Sequence, residues 1–235
     1  MAEGAVAEGA VAWGNMASTV APAALLIDLY DTLVWGEWPG LRDTMAARVG
    51  ISGPELQAAF DRTRPSRGVG TFSGAEEDMA SVLVACGLDP EPGLVSELLE
   101  LERSSLITRI HLYEDSIPVL RALRARGVRT ALVSNCSRST RPVVDGLGLE
   151  QEMDAVVLSF EVGAAKPDAA IYRAALDRLG AEPADAAFVD DQAVYCDGAA
   201  ALGMRTYLIQ RDPSQDEPAA SDGHRIITDL AALLA

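Results

Sequence analysis

In the stretch LLIDLYDTLVW, Leu25 to Trp35, an apolar run meets two aspartates, Asp28 and Asp31, with Tyr30 between them and Thr32 just after. Other polar residues follow apolar runs elsewhere: Ser134 and Asn135 after RTALV, Lys166 ahead of Pro167, and Asp190 with Asp191 after AAFV. Carboxylates gathered in one place repel and raise one another's pKa unless a cation sits among them. A hard divalent ion such as Mg2+, bound by few carboxylates and by substrate phosphate, is the natural cation. Lys166, Thr32, Ser134 and backbone amides can then hold the remaining phosphoryl oxygens.

Those residues converge only if their segments are neighbouring strands. ALLIDL (Ala24 to Leu29), RTALVS to Ser134, DAVVLS to Ser159 and AAFVDD to Asp191 are short apolar runs, as expected of strands buried on both faces of a parallel sheet. RTYLIQ (Arg205 to Gln210) and HRII (His224 to Ile227) follow as further strands. Helical patterns lie between them: SIPVLRALRARG, RPVVDGLG, DAAIYRAALDRLG and DGAAALGM, with Gly127 and Gly180 as C-cap signals. The alternation predicts an α/β fold with a doubly wound parallel sheet, whose ligands bind at the carboxyl ends of the strands.

From Trp38 to Tyr113 the pattern is helical throughout, with no convincing strand. The expected organisation is a flexible Ala/Gly-rich tail over 1–22, a core made of 23–36 and 114–235, and a helical insert over 37–113. An insert leaving from the end of the first strand sits over the site as a cap. Within it, FDRTRPSRGVG places Arg62, Arg64 and Arg67 in what reads as a short loop beside Gly68 and Gly70. One reading is a clamp for a phosphate or carboxylate at the far end of a substrate. The other is a solvated turn balancing nearby acids.

The chain has 235 residues, 49% of them hydrophobic and 23% charged, with a formal net charge of −16. That surface repels nucleic-acid phosphates and anionic membranes, while leaving room for a small anionic substrate held by local cations. Cys86, Cys136 and Cys196 are far apart and show no metal-ligand spacing, which points to free thiols in a reducing cytoplasm. The Ala-rich start carries Glu3 and Glu8 and lacks a basic region, which argues against a signal peptide. Oligomeric state is not readable from the sequence.

Four motifs in order carry a family resemblance: DLYDT (Asp28 to Thr32), VSN (Val133 to Asn135), KPDAAIYRAALDRLG (Lys166 to Gly180) and FVDD (Phe188 to Asp191) followed by GAAALGM. The chain resembles the haloacid dehalogenase-like hydrolases from about Ala24 onward, in the branch with a small helical cap. The resemblance implies a Rossmann-like core and covalent catalysis by Asp28, whose intermediate water then hydrolyses. It further implies a catalytic set of Asp28, Tyr30, Thr32, Ser134, Asn135 and Lys166, and Mg2+ held at Asp28, Tyr30, Asp190 and Asp191.

Two departures divide the family's activities. Its phosphatases carry an acid two positions after the nucleophile, to protonate the leaving oxygen. Here that position is Tyr30, as in the metal-free 2-haloacid dehalogenases, and Tyr172 falls where those enzymes use a tyrosine. The acids Asp190 and Asp191 point the other way, since dehalogenases carry Ser and Asn in their place. The acids favour Mg2+-dependent phosphatase chemistry on a small metabolite. Dehalogenation through Asp28 is the alternative, and a catalytically impaired relative that binds a phosphorylated ligand is a third. Asp31 is read as capping its own turn rather than supplying the missing acid.

Overall fold

The structure, a computed structural model, describes residues 22–38, 40–212 and 223–235. Apart from Pro22, the expected N-terminal tail lies outside the described residues. Among the described residues eight strands form: β1 (Ala24–Ile27), β2 (Val34–Gly36), β3 (Ile110–Leu112), β4 (Arg129–Ser134), β5 (Ala155–Leu158), β6 (Ala186–Asp190), β7 (Arg205–Ile209) and β8 (Arg225–Ile227). Six of them make one parallel sheet in the order β5-β4-β1-β6-β7-β8. The first strand is therefore central, with Leu26 in register with Ala131 on one side and Phe188 on the other.

The residues of β1, β4 and β6 alternate between two buried clusters. Leu25, Ile27, Leu132, Ala187 and Val189 face one side, and Leu26, Ala131, Val133, Ala186 and Phe188 the other. Both faces exclude water, which is why these strands read as unbroken apolar runs. Helices α5 (Ser116–Ala125), α6 (Arg141–Gly146), α7 (Leu149–Glu152), α8 (Ser159–Val162), α9 (Ala169–Leu179) and α10 (Ala193–Ala200) follow the strands. Gly180 closes α9 and Gly127 follows the end of α5, with φ of 57° and 76°, the left-handed geometry that glycine adopts without a Cβ penalty.

The insert holds four helices: α1 (Asp43–Val49), α2 (Gly53–Gly68), α3 (Ala75–Ala85) and α4 (Pro92–Arg109). They bury Met45, Leu56, Phe60, Met79, Leu83 and Leu98 in a core of their own. The insert does contain a strand, contrary to the sequence expectation. Ile110–Leu112 pairs antiparallel with Val34–Gly36, so entry to and exit from the insert are laced together. Three residues are too few for a strand pattern, and the pairing that defines this one comes from a partner 76 positions away at its centre (Trp35 with His111).

The arginine segment is also corrected. Arg62, Arg64 and Arg67 lie on the last turns of α2, not in a loop, and Pro65 sits inside that helix. Ser52 starts the helix through a capping box with Glu55, accepting from its backbone N–H while Glu55 accepts from the Ser52 N–H.

Candidate active site at the carboxyl edge of the sheet

Asp28 follows β1 directly, and its N–H donates to Val189 O at 3.0 Å, which keeps the chain in register for one residue past the strand. Asp190 ends the neighbouring β6. Adjacent parallel strands therefore bring the two carboxylates side by side. Lys166 lies between them, its Nζ donating to Asp28 Oδ1 and, at 2.7 Å, to Asp190 Oδ2. All three side chains are buried.

The lysine is held through its main chain. The Asn135 side chain, just beyond β4, donates from Nδ2 to Lys166 O at 2.8 Å and accepts from the Lys166 N–H at 2.7 Å. Asn135 is thus a positioning residue for Lys166 as well as a lining residue of the cleft. Asp190 has both oxygens engaged, since Oδ1 accepts from the Gln192 N–H at 2.8 Å. Asp191 is less buried and closes the group: carboxylate oxygens of Asp28, Asp190 and Asp191 lie within 4.8 Å of one another.

Three carboxylates against one ammonium leave a formal charge of −2 out of water. Burial first, then the charges of Asp28 and Asp190, push the Asp191 carboxyl up to about 8. Burial likewise pushes Asp28 up to about 7 against the pull of Lys166. For Lys166, burial works against the charge, but the two carboxylates overcome it and hold the ammonium protonated. Thr32 and Ser134 are buried, the Thr32 hydroxyl with no partner and the Ser134 hydroxyl with none but the neighbouring Cys136 thiol. A carboxylate cluster with too little positive charge, beside the Ser134 hydroxyl, is a donor set that suits a cation and an oxyanion together, whereas Thr32 does not line the cleft.

Tyr30 lies over this floor, but its hydroxyl bonds to Thr140 Oγ1 at 3.0 Å and its ring meets Trp38 edge-on. Burial raises its pKa well above the ordinary phenol value. With its hydroxyl committed to Thr140, the group Tyr30 can offer a metal is its main-chain carbonyl. Asp31 adopts a left-handed φ of 57°, donates its N–H to Val34 O at 2.7 Å, and its carboxylate accepts from Trp38. The turn is thus closed by the main chain, and the side chain is spent on Trp38.

The cleft, about 670 Å3, runs from Asp28, Ser134, Asn135 and Lys166 on the core to Trp38, Arg42, Phe60, Arg64, Arg67 and Glu102 on the insert. Of the three expected arginines, Arg64 and Arg67 reach it. Arg62 does not, because α2 turns it away to donate to Ala85 O on α3. Tyr172 is also absent from the lining. Its ring is wholly buried against Phe188 and its hydroxyl donates to Tyr195 O at 2.7 Å. Sequence reading missed Arg42 and Glu102, which are scattered in sequence and meet only when α1 and α4 pack. It also missed the lining role of Tyr195, whose ring lies 5.0 Å from Lys166 Nζ.

A family model described as "Hydrolase: haloacid dehalogenase-like hydrolase" matches residues 22–203. The chain belongs to this family. Among curated haloacid dehalogenase-like proteins it is similar to "Haloacid dehalogenase-like hydrolase domain-containing protein 3" of Mus musculus, 44% identical over 92 residues, which cover 38% of this chain and 36% of the mouse protein. It is also similar to "(S)-2-haloacid dehalogenase 1" of Pseudomonas sp. (strain CBS-3), 28% identical over 77% of this chain and 79% of that one. The crystal structure of the HAD phosphatase from Thermococcus onnurineus superimposes with a TM-score of 0.64 at 25% identity, covering 89% of this chain and 95% of that one. The first curated relatives are matched over only about a third to three fifths of their own length. The chain is accordingly a member of the haloacid dehalogenase-like family with a parallel α/β core and a helical insert. No helix among the described residues is long and apolar enough to cross a membrane.

Proposed function

We propose that the protein is a Mg2+-dependent phosphatase that cleaves a small phosphorylated metabolite through a covalent intermediate on Asp28. The observation that carries this is the approach of Asp28, Asp190 and Asp191 to within 4.8 Å. A metal-free dehalogenase has no use for such a cluster, since uncompensated acids weaken one another's ionisation and an attacking carboxylate must be ionised.

Asp28 is the nucleophile. Its carboxylate oxygen forms a bond to phosphorus as the bond to the leaving oxygen breaks, and water then cleaves the aspartyl phosphate. Lys166, pinned by Asn135 and Asp190, orients the Asp28 carboxylate and offsets negative charge that builds on the phosphoryl oxygens. The Ser134 hydroxyl, on the cleft wall, supplies a hydrogen bond that nothing else claims strongly. Asp28 and Asp191 would hold the Mg2+, with the Tyr30 carbonyl and Asp190 beside them, and the ion would draw charge from the phosphoryl group. Of the arginines on the cap side of the cleft, Arg67 binds the rest of the substrate, while Arg64 is paired with Asp61. The core over 23–36 and 114–235 performs the chemistry and the cap over 37–113 covers it. A cytoplasmic site of action is part of the same proposal, supported by three cysteines that are all free thiols.

Tyr30 leaves the leaving-group acid unassigned, so turnover is fastest with leaving groups that depart without a proton. The deciding experiment measures phosphate release from an aryl phosphate with Mg2+ or with EDTA, and chloride release from 2-chloropropionate in parallel. Metal-dependent phosphate release that disappears in Asp28→Asn is the expected result. Chloride release insensitive to EDTA would replace this reading with dehalogenation. Inactivity in both assays, with thermal stabilisation by phosphorylated ligands, would replace it with a binding role.

A further inference from the structure

The cap end of the cleft carries two cations whose hydrogen-bonding groups are not satisfied by the protein. Arg42, at the start of α1, has its Nε buried with no partner, and donates from Nη1 to Gln57 Oε1. Arg67 donates from Nε to Thr63 Oγ1 at 3.0 Å and from Nη2 to Phe60 O at 2.9 Å, which leaves Nη1 over. Both guanidinium groups lie over the Phe60 ring, 4.0 and 4.9 Å from its centre. The ring holds both groups at this end of the cleft, close enough for their charges to oppose each other.

Glu102 is the anion nearest to both, yet neither arginine closes an ion pair with it among the described residues. The Ser139 hydroxyl is the neutral polar group that acts on its carboxyl. Arg64 does not change the count, because Asp61 pairs with it at 2.7 Å. Two arginines against one glutamate leave a formal charge of +1 on this wall of the cleft, in a chain whose total is −16. A guanidinium with unclaimed N–H groups, pre-oriented on an aromatic face, suits a planar or tetrahedral oxyanion. The opposite end of the same cleft holds Asp28 and Lys166.

We propose that the substrate carries a second anionic group, a carboxylate or a second phosphate, at the end away from the reacting phosphoryl group, and that Arg42 with Arg67 binds it. This rests on the phosphoryl group seating at Asp28, as proposed above. It makes the substrate a phosphorylated acid or a bisphosphate, and it gives an acidic protein a local field that admits such a molecule.

The test uses the full chain with Asp28→Asn, which holds ligand without turnover. It is titrated calorimetrically, with Mg2+ present, with 3-phosphoglycerate, propane-1,3-diol bisphosphate and glycerol 1-phosphate. At least one of the two compounds with an anionic tail binds about tenfold or more tightly than glycerol 1-phosphate, the worth of one charge-assisted hydrogen bond. Comparison of the two tails separates carboxylate from phosphate. Adding Arg42→Met brings the ratio of affinities towards one. Equal affinity for all three compounds, or no binding by any, overturns the proposal without needing the Arg42 variant to fold. Failure of the phosphatase reading looks different: the unmutated protein releases phosphate from none of them while the tail preference persists.

Discussion

Gly70 of the cap lies so close to Phe160 of the core that a Cβ on Gly70 would stand 2.1 Å from the Phe160 carbonyl oxygen. Its φ of +66° adds a second reason for glycine. Nearby, Arg138 of the core donates to both oxygens of the buried Asp78 on α3, at 3.1 and 3.2 Å. Cap and core thus meet through main chain on one side and an ion pair on the other. Gly70→Ala forces the two surfaces apart and costs about 1–3 kcal/mol. A melting temperature lower by several degrees is expected, at about 2–4 °C per kcal/mol for a chain of this size. An unchanged melting curve would show that the contact is not a constraint.

The metal-free protein loses stability as the pH rises. Asp191 takes up its proton at about 8 in the folded chain, against the ordinary 3.8, and Asp28 shifts in the same direction. Between these limits the folded chain binds more protons than the unfolded one, so its stability falls as the pH climbs through that window. In EDTA, the melting temperature declines from about pH 5 to about pH 8. Mg2+ competes with protons for the same carboxylates, so it stabilises more at the upper end. A Mg2+ effect equal at both ends contradicts the carboxylate site.

Lys166→Met removes the cation between Asp28 and Asp190. Leaving buried carboxylates without it costs about 3–5 kcal/mol. Losing its charge from the reaction costs about a hundredfold or more in kcat. Added Mg2+ recovers part of the melting temperature, because it also neutralises the carboxylates, but does not recover kcat. Full recovery of activity would remove Lys166 from the catalytic set.

Tyr30→Phe separates packing from chemistry at the most unusual position of the first motif. The hydroxyl is committed to Thr140 and burial keeps its proton on. The expected result is kcat/KM within about threefold of the parent and a stability loss of about 1 kcal/mol, the usual net worth of one hydrogen bond. A hundredfold drop in steady-state turnover would instead make the phenol a proton carrier.

What the sequence disclosed follows from where burial is simplest. The strands of the sheet are apolar on both faces, so Ala24–Ile27 and Ala186–Asp190 could be read directly, together with the acids that end them. Helix ends marked by Gly127 and Gly180 were equally legible, because a left-handed residue has a compositional signature. The end of α2 was not, since proline and glycine around Arg64 and Arg67 signal a loop although tertiary packing keeps the helix. Motif matching put Tyr172 where the dehalogenases use a tyrosine, but only the fold shows its hydroxyl tied to Tyr195 O. Arg42 precedes α1 while Phe60 and Glu102 lie on α2 and α4, and no local pattern predicts that they share a wall.

The short ribbon of Val34–Gly36 with Ile110–Leu112 also bears on how the chain folds. The central strand must find β4, pairing Leu25 with Thr130 across the whole insert. Once the ribbon has zipped, the insert hangs from it as a closed lobe and no longer lengthens the path between those strands. The remaining path is about a quarter of the original, which lowers the entropy cost of the search by on the order of 1 kcal/mol. A cap of any size tied off in this way leaves the assembly of the sheet nearly indifferent to what it encloses.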